Sequence, residues 1–271
     1  MPCRGARCTS GSPGRAERTF RRERHRALLR EPRDVTPSPN PLAAPALVPS
    51  PDGPPLLEVD AILFDLLTAL EDSWSLWNAA AGSAVEGRRW RQEYLTLTYA
   101  AGDYRPYEAL VHESAAVAGL PAAMADALLG RWDELAPWPE VPATLAALGR
   151  THRLGVVTNC SNALAARAVA RLGADVDVVV AAERAGAYKP DARPYRVALD
   201  ALAQRRPGLV PSRVLFVAGS PFDIPGAGGV GMPVVWHNRL QLTRPAELGA
   251  PAAEIDTLAA LPALLSRANH S

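Results

Sequence analysis

The chain has 271 residues, with 29 basic against 28 acidic side chains and a formal net charge of +1. That is enough for one large or two small domains, and too balanced for bulk electrostatic attraction to nucleic acid or a lipid surface. No apolar run reaches the roughly eighteen residues a membrane span needs. The three cysteines, Cys3, Cys8 and Cys160, form no disulfide framework and fit a reducing cytoplasm.

Residues 1–57 read as a disordered Arg/Pro-rich extension. Arginines from Arg15 to Arg33 give way to a proline-rich stretch from Pro37 to Pro55, a composition that buries too little apolar surface to offset ordering entropy. No apolar segment follows the basic one, so no secretory signal is expected, and Glu17, Glu23 and Glu31 argue against a transit peptide.

The fold begins with Ala61 to Phe64, an apolar run that delivers Asp65 into a small turn. Continuous apolar text of this kind marks a strand buried on both faces of a parallel sheet, whose carboxyl end borders the ligand crevice. Taken alone, Asp65 is also a plain helix cap. The next block contains no strand-like run. Helices are expected over Trp74–Ala81, Arg88–Ala101, Tyr107–Ala118 and Ala122–Leu135, making residues 73–137 a helical cap inserted after the first strand. Strand and helix then alternate: helix Ala143–Arg150, strand Leu154–Val157, helix Ala163–Leu172, strand Val176–Ala182, helix Ala192–Gln204, strand Val214–Ala218, a short glycine-rich helix Gly226–Gly231, strand Pro233–Trp236 and a closing helix Ile255–Arg267. Repeated βα units predict an α/β protein with a doubly wound, Rossmann-like parallel sheet, its core made of residues 58–72 and 138–271.

Polar clusters fall at the predicted strand ends: Asp65; Thr158 and Asn159; Tyr188, Lys189, Pro190 and Asp191; Ser220 with Asp223. Parallel strands bring these to one edge, although each of Thr158, Asn159 and Asp223 is separately a candidate helix cap. Lys189 is the one lysine in a chain that otherwise writes its positive charge as arginine. An ammonium is a compact point charge that a guanidinium fork does not replace in a tight site. Gly226, Gly228, Gly229 and Gly231 do not follow the first strand as a dinucleotide fingerprint would, and the five histidines lack metal-ligand spacing.

The order Asp65, Thr158, Lys189, Asp223 resembles the four motifs of the haloacid dehalogenase superfamily, over about residues 58–240. The narrower likeness is to the 2-haloacid dehalogenases. It rests on Trp90-Arg91-Gln92 with Tyr94, on Tyr188-Lys189-Pro190-Asp191-Ala192-Arg193-Pro194-Tyr195, and on Trp236-His237-Asn238-Arg239. The resemblance implies a cofactor-independent hydrolase that displaces halide from short 2-haloalkanoic acids through an aspartyl ester, giving 2-hydroxy acids. It makes Asp65 the nucleophile, Lys189 the charge that keeps it ionised and Asp223 the base for the hydrolytic water. Arg91, Thr158, Asn159, Tyr195 and Ser220 become substrate-binding, with Tyr195 also bracing the lysine loop. It also implies a small carboxylate substrate, a homodimer through the cap and a cytoplasmic location. Two positions depart from the usual pattern: Thr68-Ala69 stand where Gly-Thr is usual, and Ala218-Gly219-Ser220 where Ser-Ser-Asn is usual. The superfamily's phosphatases carry a second aspartate at the place of Leu67. Two other readings stand beside the first: a magnesium-dependent small-molecule phosphatase of the same superfamily, and a binding or regulatory protein on a degraded hydrolase scaffold.

Overall fold

The computed structural model describes residues 57–265. The expected extension over 1–57 lies outside the described residues, Leu57 apart. Six parallel strands form one sheet in the order β3-β2-β1-β4-β5-β6, with β1 Ala61–Phe64, β2 Arg153–Thr158, β3 Val178–Ala181, β4 Val214–Ala218, β5 Val234–His237 and β6 Ala253–Ile255. The chain builds outward from β1 through β2 to β3, then returns to the other side of β1 at β4. The reversal between β1 and β4 is the topological switch point, where such sheets open a crevice at their carboxyl edge. Burial explains why β1 reads as pure apolar text: Ala61, Ile62, Leu63 and Phe64 are all fully buried, between helices on both faces.

Four helices follow β1: α1 Ser73–Ala80, α2 Ala84–Ala100, α3 Tyr107–Val117 and α4 Ala122–Gly130. Asp72 caps α1 by accepting from Ser75 N at 3.0 Å, and Ser83 caps α2 by accepting from Glu86 N at 3.1 Å, each satisfying an otherwise unpaired first-turn amide. The aromatic residues that these helices carry meet in the interior: Trp77 lies 4.7 Å from Trp90 and Tyr94 5.4 Å from Tyr107 between ring centroids. The expected helix to Leu135 stops at Gly130, and Trp132–Glu134 is a single 3-10 turn. The remaining helices are α5 Val141–Leu148, α6 Asn162–Val169, α7 Ala182–Ala185, α8 Ala192–Arg205 and α9 Asp223–Gly228.

The expected closing helix Ile255–Arg267 is a correction. Ala253–Ile255 is an edge strand paired with β5, and Leu258–Leu264 is 3-10 helix with Pro262 inside it. Proline removes an amide donor and crowds the preceding turn, so an α-helix does not run through it. A three-residue strand carries too little text to show an alternation, which is why β6 escaped the pattern.

Candidate active site

Asp65 is placed by the sheet. Its amide donates to the Val217 carbonyl of β4 at 2.9 Å, so the residue leaves β1 beside the switch point. Its two carboxylate oxygens have different neighbours. Oδ1 accepts from Lys189 Nζ at 2.7 Å. Oδ2 accepts from Thr68 N at 2.9 Å, Thr68 Oγ1 at 2.5 Å and Ala69 N at 3.2 Å. The turn after β1 thus folds back to cradle the acid that opens it.

Lys189 bridges two acids. Its ammonium is 3% exposed and reaches Asp65 at 2.7 Å and Asp223 Oδ2 at 3.2 Å. Asn159 grips the lysine's own backbone in both directions: its Oδ1 accepts from Lys189 N at 2.7 Å and its Nδ2 donates to Lys189 O at 3.0 Å. Asp223 opens α9 and accepts at Oδ1 from the Tyr195 hydroxyl at 2.6 Å. Gly226 permits this contact, because a Cβ there would sit 2.7 Å from the Tyr195 hydroxyl oxygen.

Burial and neighbours drive the two acids apart. Burial works to raise Asp65, but the Lys189 charge, the lysine hydrogen bond and the two bonds from Thr68 outweigh it, so Asp65 lies below the ordinary carboxylate value. Burial raises Asp223 as well; there Lys189 offsets it only in part and the Asp65 charge adds to it, so Asp223 lies above the ordinary value. Burial works against the Lys189 charge, yet Asp223 and Asp65 together hold its pKa above that of a free lysine. One carboxyl is thus lowered and the other raised by the same surroundings, a separation that suits distinct acid–base roles.

Arg91 comes from α2. Its guanidinium lies 4.2 Å from the Trp74 ring centroid and donates from one terminal nitrogen to Ser73 Oγ at 2.8 Å, while its Nε has no protein partner. Ser73 in turn donates to the Leu67 carbonyl, so the arginine is tied to the loop that carries Asp65. Burial lowers the Arg91 pKa, and the nearby Asp65 charge opposes that loss. Asp65, Arg91, Asn159, Lys189, Ser220 and Asp223 all line one cavity of about 580 Å³.

Two sequence-predicted site residues do not line it. Thr158 is fully buried and its hydroxyl pairs with Cys160 Sγ at 3.7 Å. Tyr195 is also fully buried, edge-on to Phe216, and spends its hydroxyl on Asp223. Neither hydroxyl faces the cavity in this structure, each being paired inside the protein. Asn159 lines the cavity but braces the lysine. Thr68, Ser73 and Trp74 were missed. The sequence marks Thr68 only as a departure from the usual turn and Trp74 only as a helix start, and nothing local in the text marks a residue whose partner lies across the fold. The segment Trp236–Arg239 contributes from behind: His237 Nδ1 lies 2.9 Å from the Ala69 carbonyl, and Asn238 holds both backbone groups of Leu242.

A parallel α/β core with an ammonium set between two buried carboxylates at its switch point defines a hydrolase-type site. A family model for haloacid dehalogenase-like hydrolases matches residues 59–231, and the chain belongs to that family. Among curated relatives, (S)-2-haloacid dehalogenase 1 of Pseudomonas sp. (strain CBS-3) is 31% identical over 143 residues, which are 52% of this chain and 61% of that protein, less than two thirds of its length. (S)-2-haloacid dehalogenase H-109 of Pseudomonas putida is 30% identical over 199 residues, 67% of this chain and 86% of that protein. A plasmid phosphoglycolate phosphatase of Cupriavidus necator is 38% identical over 136 residues, 48% of this chain and 56% of that protein. Among solved structures, a dehalogenase with an intermediate complex aligns at a TM-score of 0.68 and 25% identity, covering 77% of this chain and 98% of that one.

Proposed function

We propose that the protein is a metal-independent 2-haloacid dehalogenase. The observation that carries this reading is the Lys189 ammonium between Asp65 and Asp223, in the same cavity as Arg91. Arg91 binds the substrate carboxylate, a match of planar fork to planar anion. A carboxylate oxygen of Asp65 attacks C2, the carbon–halogen bond breaks and halide leaves with the electron pair, giving an ester. Asp223 takes a proton from water, which adds to the Asp65 carbonyl carbon. Collapse expels the 2-hydroxy acid, whose alkoxide recovers that proton from Asp223; the remaining carboxylic proton leaves to solvent and Asp65 is restored. The water's oxygen stays on Asp65, and the product hydroxyl is the former Asp65 oxygen.

The helical segment α1–α4 acts in this reading as a cap that closes residues 73–137 over the core. The same reading places the protein in the cytoplasm as a homodimer through that segment, where Val85 and Val117 are exposed at 68% and 51%; a monomer by analytical ultracentrifugation overturns the dimer. No helix among the described residues is long and apolar enough to cross a membrane.

The phosphatase relative makes a magnesium enzyme the second reading, and the residues do not fit it. The space between Asp65 and Asp223 is held by the ammonium at 2.7 and 3.2 Å, and the Leu67 carbonyl accepts from Ser73. Among the described residues, no group of three or more His, Cys, Asp or Glu side chains is arranged to hold a metal ion. Leu67 also has no proton to give a leaving alkoxide. Incubation with 2-chloropropionate, with and without chelator, decides between the readings. Halide release indifferent to chelator is expected; release that needs magnesium, or no halide from this acid or its longer-chain homologues, sinks the proposal. A single turnover in ¹⁸O-water places the label in Asp65, which a non-catalytic scaffold does not do.

A further inference from the structure

The cavity is larger than the chemistry at its polar end requires. Its volume of about 580 Å³ lies within the roughly 300–1,000 Å³ that enclose drug-sized ligands. One carboxylate, one reacting carbon and one water occupy the polar groups. Much of the remaining wall is apolar and comes from three separate segments: Leu95 and Tyr99 from α2, Phe222 from the loop after β4, and Leu242 and Pro245 from the β5–β6 connection. Tyr99 and Phe222 meet at 5.1 Å between ring centroids, and with Leu248 and Leu95 they form an apolar cluster distinct from the two that fill the core.

This wall is built rather than draped. Asn238 Oδ1 accepts from Leu242 N at 2.7 Å, and Asn238 Nδ2 donates to Leu242 O at 3.0 Å and to Glu254 Oε1 at 2.6 Å. The β5–β6 connection is therefore fixed to the edge strand, with Leu242 turned to the cavity. Apolar side chains facing a void lack contacts on that side, and an apolar ligand group restores them. Glu247 lies exposed on the same lining, where it opposes a chain that ends in a second carboxylate.

Resting on the dehalogenase reading, we propose that this wall receives the carbon chain of the substrate, so that the preferred substrates are medium-chain 2-haloalkanoic acids rather than 2-halopropionates. The carboxylate and C2 stay at Arg91 and Asp65, and the alkyl chain runs between Tyr99, Phe222 and Leu242. The test is kcat/KM for the series 2-bromopropionate, 2-bromobutanoate, 2-bromohexanoate and 2-bromooctanoate. Each methylene buried here is expected to raise kcat/KM about threefold to fourfold, the factor that corresponds to about 0.8 kcal/mol per buried methylene. A 2-bromo dicarboxylic acid of matching length is expected to lose that gain. Halide release from 2-bromopropionate with no rise on lengthening overturns this inference and leaves the dehalogenase reading standing. No halide from any member overturns the dehalogenase reading, and this inference with it. Leu242→Trp narrows the cavity from a half-buried rim position and is expected to lower the octanoate-to-propionate ratio of kcat/KM at least tenfold. An unchanged ratio in the folded variant removes the chain from this wall. If the variant does not fold, the chain-length series decides alone.

Discussion

At the residue scale the site works by separating two carboxyls that share one ammonium. Asp65 is held below the usual range and stays ionised, and Asp223 is held above it. On the proposed mechanism, as pH falls through the raised Asp223 pKa, Asp223 gains the proton that stops it acting as base while Asp65 keeps its charge. Ester formation then continues and ester hydrolysis stops. Quenched samples analysed by intact mass are expected to show the Asp65 ester accumulating on the acid side of the profile and vanishing on the alkaline side. An ester level that does not vary with pH contradicts the assignment of base. Asp223→Asn reproduces the acid state at every pH: one equivalent of halide per site, then turnover lowered on the order of 10²–10⁴. Ser73 acts at one remove, by holding Arg91 against the Leu67 carbonyl. Ser73→Ala is expected to raise KM for the haloacid about tenfold, the scale of a hydrogen bond to a charged group, with a smaller effect on kcat. An effect on kcat alone would mean that Ser73 does not act through substrate binding.

At the element scale, the turn after β1 and the loop after β4 fit one another. A Cβ on Gly219 would overlap the Thr68 side chain and the Ala69 amide. Where the resembling enzymes usually carry Gly and Ser, this chain has Thr68 and Gly219. The side-chain bulk has moved across the gap, and with it the hydroxyl, which now donates to Asp65 Oδ2 at 2.5 Å. Gly219→Ser alone is therefore expected to push Thr68 off the nucleophile and to reduce both activity and stability. Thr68→Gly in the same chain is expected to relieve the overlap, with a coupling energy of about 0.5–3 kcal/mol, as for residues in contact. Additive effects of the two substitutions would show that they do not touch. This exchange also marks how far the text could be read. Asp65, Lys189 and Asp223 were legible because charged groups after apolar runs stand out and parallel strands gather their ends. Thr68 and Gly219 each read as an isolated departure from the usual pattern, since their meaning lies in a pairing across two loops. Asn159 and Tyr195 stand out in the text, but the atoms they hold do not: Asn159 grips the Lys189 backbone and Tyr195 donates to Asp223. The β-sheet was legible through its apolar strands, and β6 was not, because three residues at an edge carry no pattern.

At the scale of the whole molecule, one apolar cluster runs through both halves. It includes Trp77, Trp90, Tyr107 and Trp132 from the helical segment together with Leu66, Leu70, Val156 and Leu164 from the sheet layer, and Trp132 Nε1 donates to the Leu164 carbonyl at 3.0 Å. The two halves should therefore unfold together. The chain passes between them at Glu71 and Pro137, which pair as an isolated bridge flanked by bonds from Asp72 N to Ala136 O and from Trp138 N to Leu70 O. Glu71 is fully buried at this crossing, and neither carboxyl oxygen has a protein hydrogen-bond partner. Burial, with a lesser push from the Asp65 charge and partial relief from Arg171, moves it up from 4.5 to about 8. Between these two values the unfolded chain has released the proton and the folded chain retains it. The folded state then binds more protons, so stability falls as pH rises. The contribution is fully present below about 4.5 and lost by about 8, where an unpaired buried carboxylate costs more than the roughly 1–3 kcal/mol of an unpaired neutral group. Glu71→Gln removes the titration and keeps the shape. Its melting temperature is expected to exceed the parent's at pH 8, by roughly 2–4 °C per kcal/mol for a chain of this size, and to match it near pH 4.5. Because Glu71 ties the two halves at their crossing, a single cooperative transition should shift as one. A parent whose stability does not fall over this range, or a variant that keeps the same slope, would place the titrating group elsewhere.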